Sequence, residues 1–366
     1  MEAKLRDLLD SIEPLNESAM TEARLYQLTL VKPPESLGRL EDLSIQLAGI
    51  TGELHNEVAR KHLLVFASDN GIVEAEPVAS APQSVTRQLA LGLTRGRTGA
   101  AVLCRRFGCE LTVCDVGVNG EIQDPAVLNK KIAFGTGNIA AGPAMSREQA
   151  VQAILTGAEL ARNTQADLLG VGEVGIGNTT TSAAVLAVLL GKEPEAVTGR
   201  GAGVSDAHFR VKKDAIRRAI DLNQPDAGDV VDVLAKVGGF DIAAMCGAFL
   251  GAAASHRPVV IDGFISVVAA LCAARLCYRA RDYMIPSHAS WEIGYDLAIR
   301  ELRLKPMLAL DMRLGEGSGC PLAFQLVEAA CAIINDVATF AQAGVEDDYM
   351  EQLGQGDNFT VKPEEE

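Results

Sequence analysis

The run 166-ADLLGVGEVGIGNTTTSAAVLAVLLG-191 changes texture twice within a few turns of chain. Its opening is a short apolar run closed by glycines, the pattern of a strand buried on both faces. Its end is rich in Ala, Val and Leu with hydroxyl residues in front, the pattern of a helix that begins near Thr179–Ser182. A strand, a glycine turn and a helix in direct succession form half of a βαβ unit, so the stretch predicts a parallel α/β sheet. The turn also suits an anion: helix-end amides are free, and Gly175 and Gly177 let backbone come close to a ligand, with Asn178, Thr179 and Thr180 beside it. Glu173, inside the same turn, does not suit an anion. A tight connection capped by threonines would select much the same residues.

The pattern repeats along the chain. Apolar runs ending in polar residues or glycine occur at 63-LLVFASD-69, 111-LTVCDVGV-118, 258-PVVIDGF-264, 283-YMIPS-287 and, more weakly, 307-MLAL-310. Helical segments at about 83–107, 147–163, 179–191, 206–222, 229–255 and 265–282 separate most of them. The expectation is an α/β fold: a mainly parallel, Rossmann-like sheet flanked by helices over 61–320. Residues 1–60 and 321–345 are expected to form a small helical domain, and the acidic segment 346–366 a flexible tail. In 36-SLGRLEDLSIQLAGITG-52 the spacing predicts a helix with Ser36 as N-cap and Gly52 as stop.

Ligands of open α/β sheets bind beyond the carboxyl ends of the strands. The polar residues there are Asp69-Asn70-Gly71, Asp115, Glu173, Asp262-Gly263 and Ser287-His288. Two further glycine turns, 135-GTGNIAAGPAMS-146 and 200-RGAGVSD-206, join the first. None is a Walker loop or a first-unit GxGxxG, which argues against a nucleoside triphosphatase and a dinucleotide dehydrogenase. In 313-RLGEGSGC-320 a second carboxylate, Glu316, stands between glycines. With Glu173 it would make a pair fit for proton transfer and charge stabilisation. His288 reads either as a general base or as a structural histidine. Lys32, Lys212 and Lys213 are candidate anion partners, the last two expected on a solvated helix face.

Bulk composition removes several classes. A formal charge of −15 over 366 residues argues against a nucleic-acid binder. Eight cysteines without a CxxC or His/Cys cluster read as buried free thiols, suiting a reducing cytoplasm and no metal. No apolar run is long enough to span a bilayer.

Taken in order, KPPESLGRLEDLSIQLAGI, SVTRQ, GTGNIAAGPAMS, GEVGIGNTTTSAA, GRGAGVSD, DVLAKVGGFDIAAM, PVVIDGFIS, RLGEGSGC and VATFAQAGV resemble one family over nearly the whole chain. It is the nicotinate-nucleotide–dimethylbenzimidazole phosphoribosyltransferase family, which activates the lower base of cobamides such as vitamin B12. The resemblance implies attack of a base nitrogen on C1′ of nicotinate mononucleotide, departure of nicotinate, and an α-ribotide 5′-phosphate as product. It implies that Glu316 takes the proton from the incoming base and that Glu173 lies near the reacting centre. Gly175, Gly177, Asn178, Thr179, Thr180, Gly201 and Gly203 would serve the 5′-phosphate, supported by Lys212. Ser80, Gln88 and Leu314 would contact the aromatic base. No cofactor or metal is implied; the expected assembly is a homodimer, or a heterodimer with a homologous subunit.

The chain departs from the family's usual pattern in three places: 69-DNG-71 in place of Asp-His-Gly, 80-SAPQ-83 without a tyrosine, and Glu35 where glycine is usual. The first two fall in the segment that lines the base pocket and leave the accepted base open among benzimidazoles, purines and phenols. They also sustain one alternative, a non-catalytic homologue that supports an active partner subunit.

Overall fold

The computed structural model describes residues 1–347; the greater part of the expected tail, 348–366, lies outside the described residues. Six strands form one wholly parallel sheet. They are β1 (Lys61–Ser68), β2 (Cys109–Gly117), β3 (Val127–Asn129), β4 (Leu168–Val174), β5 (Val259–Ile261) and β6 (Met284–Pro286). Their order, β3-β2-β1-β4-β5-β6, is that of the Rossmann fold. The chain winds away in opposite directions on either side of β1 and β4, so the crevice beyond their carboxyl ends is the expected ligand site. Glu173 of β4 stands in register with Phe66 of β1, at the mouth of that crevice.

Strand β3 follows a loop too polar to announce it, and the run 307–310 forms no strand. Leu308 makes a single bridge to His288. Three expected helices are each divided. Segment 83–107 becomes Ser84–Thr94 and Gly99–Arg106, segment 229–255 becomes Val230–Val237 and Phe240–Ala253, and segment 265–282 becomes Phe264–Leu276 followed by a 3₁₀ turn. Helix Arg147–Asn163 has the expected bounds, fixed by a capping box between Ser146 and Gln149.

Every residue of helix Phe240–Ala253 is buried. Its small side chains let it lie directly on helix Arg147–Asn163. A methyl on Gly157 would meet the Ala244 carbonyl oxygen at 1.8 Å, and one on Gly247 the Ile154 carbonyl oxygen at 1.8 Å. This helix of alanine and glycine is therefore a close-packing core element rather than a membrane segment. Among the described residues, no helix is long and apolar enough to cross a membrane.

The chain divides into two compact units, 1–14 with 59–325, and 15–58 with 326 onward. The first helix, Glu2–Asp10, thus belongs with the sheet rather than with the helical unit that the sequence suggested. Its apolar residues Leu5 and Leu8 are buried, Glu2 pairs with Arg147 at 2.8 Å, and Tyr283 donates to the Glu13 carbonyl at 2.9 Å. The later boundary falls within helix Cys320–Asp336, not before it. That helix ends at Asp336, and a short one, Phe340–Ala343, follows behind its own Thr339 capping box.

The second unit pairs helices Glu17–Gln27 and Arg39–Thr51 around Ala19, Ala23, Ala48 and Ile334. Gly52 ends its helix in the left-handed region as expected, but Gly38, not Ser36, stands at the N-cap. Glu35 has φ +57°, which explains why glycine is usual there. Lys32 pairs with Glu41 at 2.8 Å, Glu41 buried and Lys32 half-buried, so its charge is spent inside this unit.

Candidate active site

Beyond the carboxyl ends of β1, β4, β5 and β6 lies a cavity of about 280 Å³. It is bordered by both carboxylates singled out in the sequence, Glu173 and Glu316. The glycines explain how they meet. A methyl on Gly172 would lie 2.4 Å from the Gly317 nitrogen, and one on Gly315 would lie 2.6 Å from Glu173 Oε1. The Glu316 loop thus sits backbone-to-backbone on the middle of the sheet, and Glu316 is not at a strand end. Gly315, Glu316 and Gly317 all have positive φ, +83°, +61° and +77°. A non-glycine residue held there is strained and persists only where its surroundings fix it. Glu316 is buried, and its Oε2 accepts the Ala100 N–H at 3.2 Å, in the first turn of helix Gly99–Arg106.

Glu173 is set differently. Asn178 donates through its side-chain amide to Glu173 Oε2 and, at 3.1 Å, to Asp241 Oδ2. Burial, with Asp241 close by, pushes Glu173 up to about 8. Burial also raises Asp241 to about 6 and Asp262 to about 7. Burial and the nearby Asp241 both favour the protonated form of Glu173. A cation arriving beside it would draw the proton off.

The glycine turn is built as the sequence implied. Gly177 is the N-cap of helix Asn178–Leu190 with φ +90°, no side chain caps that end, and Gly175, Gly177 and Thr179 border the cavity. Asn178 also borders it, but its side chain is engaged with the two carboxylates and its N–H with the Gly175 carbonyl at 3.2 Å, so it shapes the turn from within. Thr180 is buried and does not line the cavity. Gly201 and Gly203 form the rim, at φ +57° and +108°.

Lys212 is not on a solvated face. It is 1% exposed, and its Nζ donates to Thr179 Oγ1 at 2.8 Å. Burial pulls it down to about 8, with Glu292 opposing. It places a cation directly behind the glycine turn. Lys213 instead lies over the Phe209 ring and takes no part.

At the acceptor end Ser80 and Leu314 border the cavity, whereas Gln88 is exposed and does not; Val78 and Leu89 take that wall. Asn70, in the altered segment, is wholly buried. Its amide donates to the Ile176 carbonyl at 3.2 Å and accepts from the Thr181 hydroxyl at 3.2 Å, so it braces the glycine turn from behind. His288 borders the cavity beside Ser290, and burial drops it to about 4, which leaves it neutral. Its Nδ1 contacts Ser287 Oγ at 2.9 Å. Sequence reasoning missed Asp241, although an acid alone in the apolar run 240–253 was a usable signal. It also missed Arg200 and Arg313, which border the cavity from the rim.

A family model described as phosphoribosyltransferase matches residues 12–345. A nicotinate-nucleotide–dimethylbenzimidazole phosphoribosyltransferase of Clostridium tetani is 45% identical over 94% of this chain and 95% of its own length. One from Alkaliphilus metalliredigens is 48% identical, covering 93% of this chain and 99% of its own. The chain belongs to that phosphoribosyltransferase family. A crystal structure bearing the same enzyme name, from Thermus thermophilus, superposes with a TM-score of 0.85 at 40% identity, over 91% of this chain and 99% of that one. The chain is therefore a phosphoribosyltransferase with the family's α/β fold, and the cavity over β1 and β4 is where its strongest motifs converge.

Proposed function

We propose that the chain transfers the 5-phosphoribosyl group of nicotinate mononucleotide to an aromatic lower-ligand base, giving an α-ribotide phosphate for cobamide assembly. The observation that carries this is Glu316, held at φ +61° between two positive-φ glycines with its carboxylate at the cavity. The pyridinium of the donor is already a cationic leaving group and needs no general acid. What the reaction needs is an acceptor for the N–H proton of the incoming ring, and Glu316 fills that role. Glu173 releases its proton to solvent as the pyridinium enters, and its carboxylate then offsets the positive charge that develops on the ribose. The amides of Gly177 and Thr179, with Lys212 behind them, hold the 5′-phosphate. Ser80 and Leu314 border the acceptor ring.

Nicotinate release, measured with nicotinate mononucleotide and a panel of benzimidazoles, purines and phenols, tests the assignment. No release with any acceptor, alone or with a homologous subunit, defeats it. The reading also includes a homodimer working in the cytoplasm. Trp291, Ile293 and Leu314, exposed near the cavity, support a partner surface. Light scattering on the eluted protein tests it, and a monomeric mass at working concentration removes it.

A further inference from the structure

The Glu316 loop needs something to hold its left-handed backbone, and the structure shows one buried group doing so. Asp262 follows β5 directly and is 2% exposed. Its Oδ2 accepts the Gly317 N–H at 3.0 Å, and its Oδ1 accepts the Gly319 N–H at 2.7 Å. These are the first and third amides after Glu316. Asp262 is itself fixed from two neighbouring strands. Its N–H donates to Ser266 Oγ at 3.1 Å, and that hydroxyl donates to the Val171 carbonyl of β4 at 3.1 Å. Its carbonyl takes the Ser287 hydroxyl, next to β6, at 3.2 Å. No lysine or arginine pairs with it among the described residues; the nearest basic group is neutral His288, with Nδ1 3.9 Å from Oδ1. A carboxylate buried without a cation is costly, and its two oxygens are turned to loop amides although it borders the cavity.

We propose that Asp262 is the positioning residue of the transferase: it clamps the two amides that set the Glu316 backbone and so aims the Glu316 carboxylate at the acceptor. The inference rests on Glu316 as the proton acceptor. Asp262→Asn keeps the shape but turns an N–H₂ toward one of the two amides, donor against donor. Loosening the loop by about 1 Å should lower kcat roughly 10²-fold. The KM for nicotinate mononucleotide should move less than about threefold, because the phosphate and ribose contacts lie elsewhere.

The decisive measurement is the double variant. In a Glu316→Gln background, adding Asp262→Asn should cost less than about threefold in kcat, since the two act as one unit. Hydrogen exchange at the Gly317 and Gly319 amides should quicken at least about tenfold in Asp262→Asn. Multiplicative losses in the double variant, or unchanged exchange at both amides, overturn the proposal. Should Asp262→Asn fail to fold, Ser287→Ala loosens the same anchor. A several-fold fall in kcat with KM unchanged is expected, and an unchanged kcat overturns the proposal. If Glu316→Gln alone leaves turnover intact, the base assignment fails first and takes this inference with it. If Glu316→Gln is slow and Asp262→Asn is not, only this inference fails.

Discussion

Gly172→Ala is the smallest change that should disable the site without touching a functional side chain. The added methyl would lie 2.4 Å from the Gly317 nitrogen, 2.5 Å from Gly317 Cα and 2.8 Å from the Glu316 carbonyl carbon. Ordinary contact begins near 3.4 Å, so relief requires about 1 Å of movement. Neither side yields readily. Gly172 lies inside β4, paired with Val65 of β1, and the loop is tied to Asp262. Strand β4 is paired on both edges, to β1 and to β5, so the displacement falls on the loop and on Glu316. A misplacement of about 1 Å in a reacting group costs roughly 10²-fold in rate. Overpacking costs about 1–3 kcal/mol in stability, which a protein of this size should survive. Steady-state nicotinate release should show kcat down about 10²-fold and KM for nicotinate mononucleotide within a few-fold. A folded Gly172→Ala protein whose kcat stays within about twofold of wild type would refute the claim that this backbone contact aims the carboxylate.

Glu316→Gln should lower kcat by about 10²–10⁴, read by nicotinate release, and an unaffected rate removes it from the proton-transfer role. Lys212→Met should weaken binding of nicotinate mononucleotide about tenfold or more while leaving binding of nicotinate riboside, which lacks the phosphate, within a few-fold, both read by calorimetry; equal losses with both contradict a phosphate role. Burial raises Glu173 to about 8, Asp262 to about 7 and Asp241 to about 6, so the native state binds more protons than the unfolded chain up to those values. Their contribution is fully present below the ordinary carboxylate range near pH 4 and is lost as pH rises through the highest of them, so Tm of the free protein should fall between about pH 6 and pH 8, above which Lys212, lowered to about 8, opposes it. Glu173→Gln should flatten the last part of that fall, and a wild-type Tm that climbs over this range contradicts the assignment.

How far the sequence could be read depended on the scale of the interaction. Strand–turn–helix texture is local, so β1, β2, β4 and the helix after Gly177 were legible from runs of a few residues. Strand β3 is not: three residues, Val127–Asn129, pair with β2 through tertiary context alone. Gly238 and Gly239, which divide the long apolar segment near 229–255, left a visible mark that was still compatible with one helix. At the site, Glu173, Glu316 and the glycine turns were legible because carboxylates among glycines are chemically conspicuous. Lys212 was misplaced because a lysine beside Lys213 on a strongly charged helix carries no sign of burial; only its contact with Thr179 reveals it. Gln88 failed for the reverse reason, since a one-residue difference in helix phase turns Leu89 rather than Gln88 toward the cavity.

The bare face of β4 has a wider consequence. Gly170 gives room to Cys320 and Phe324, and Gly172 to Gly317, so the Glu316 loop takes its position from main chain in the middle of the sheet. The wall formed by 78–81 with Leu89 is drawn from another segment, while the Glu316 loop adds Leu314 to the lining. Substitutions that reshape the wall therefore do not reach the loop. On the proposed function, selection can retune the wall residue by residue while the geometry of the Glu316 loop is inherited unchanged. The altered 69–83 segment of this chain, beside an intact RLGEGSGC, is what such a history would leave behind.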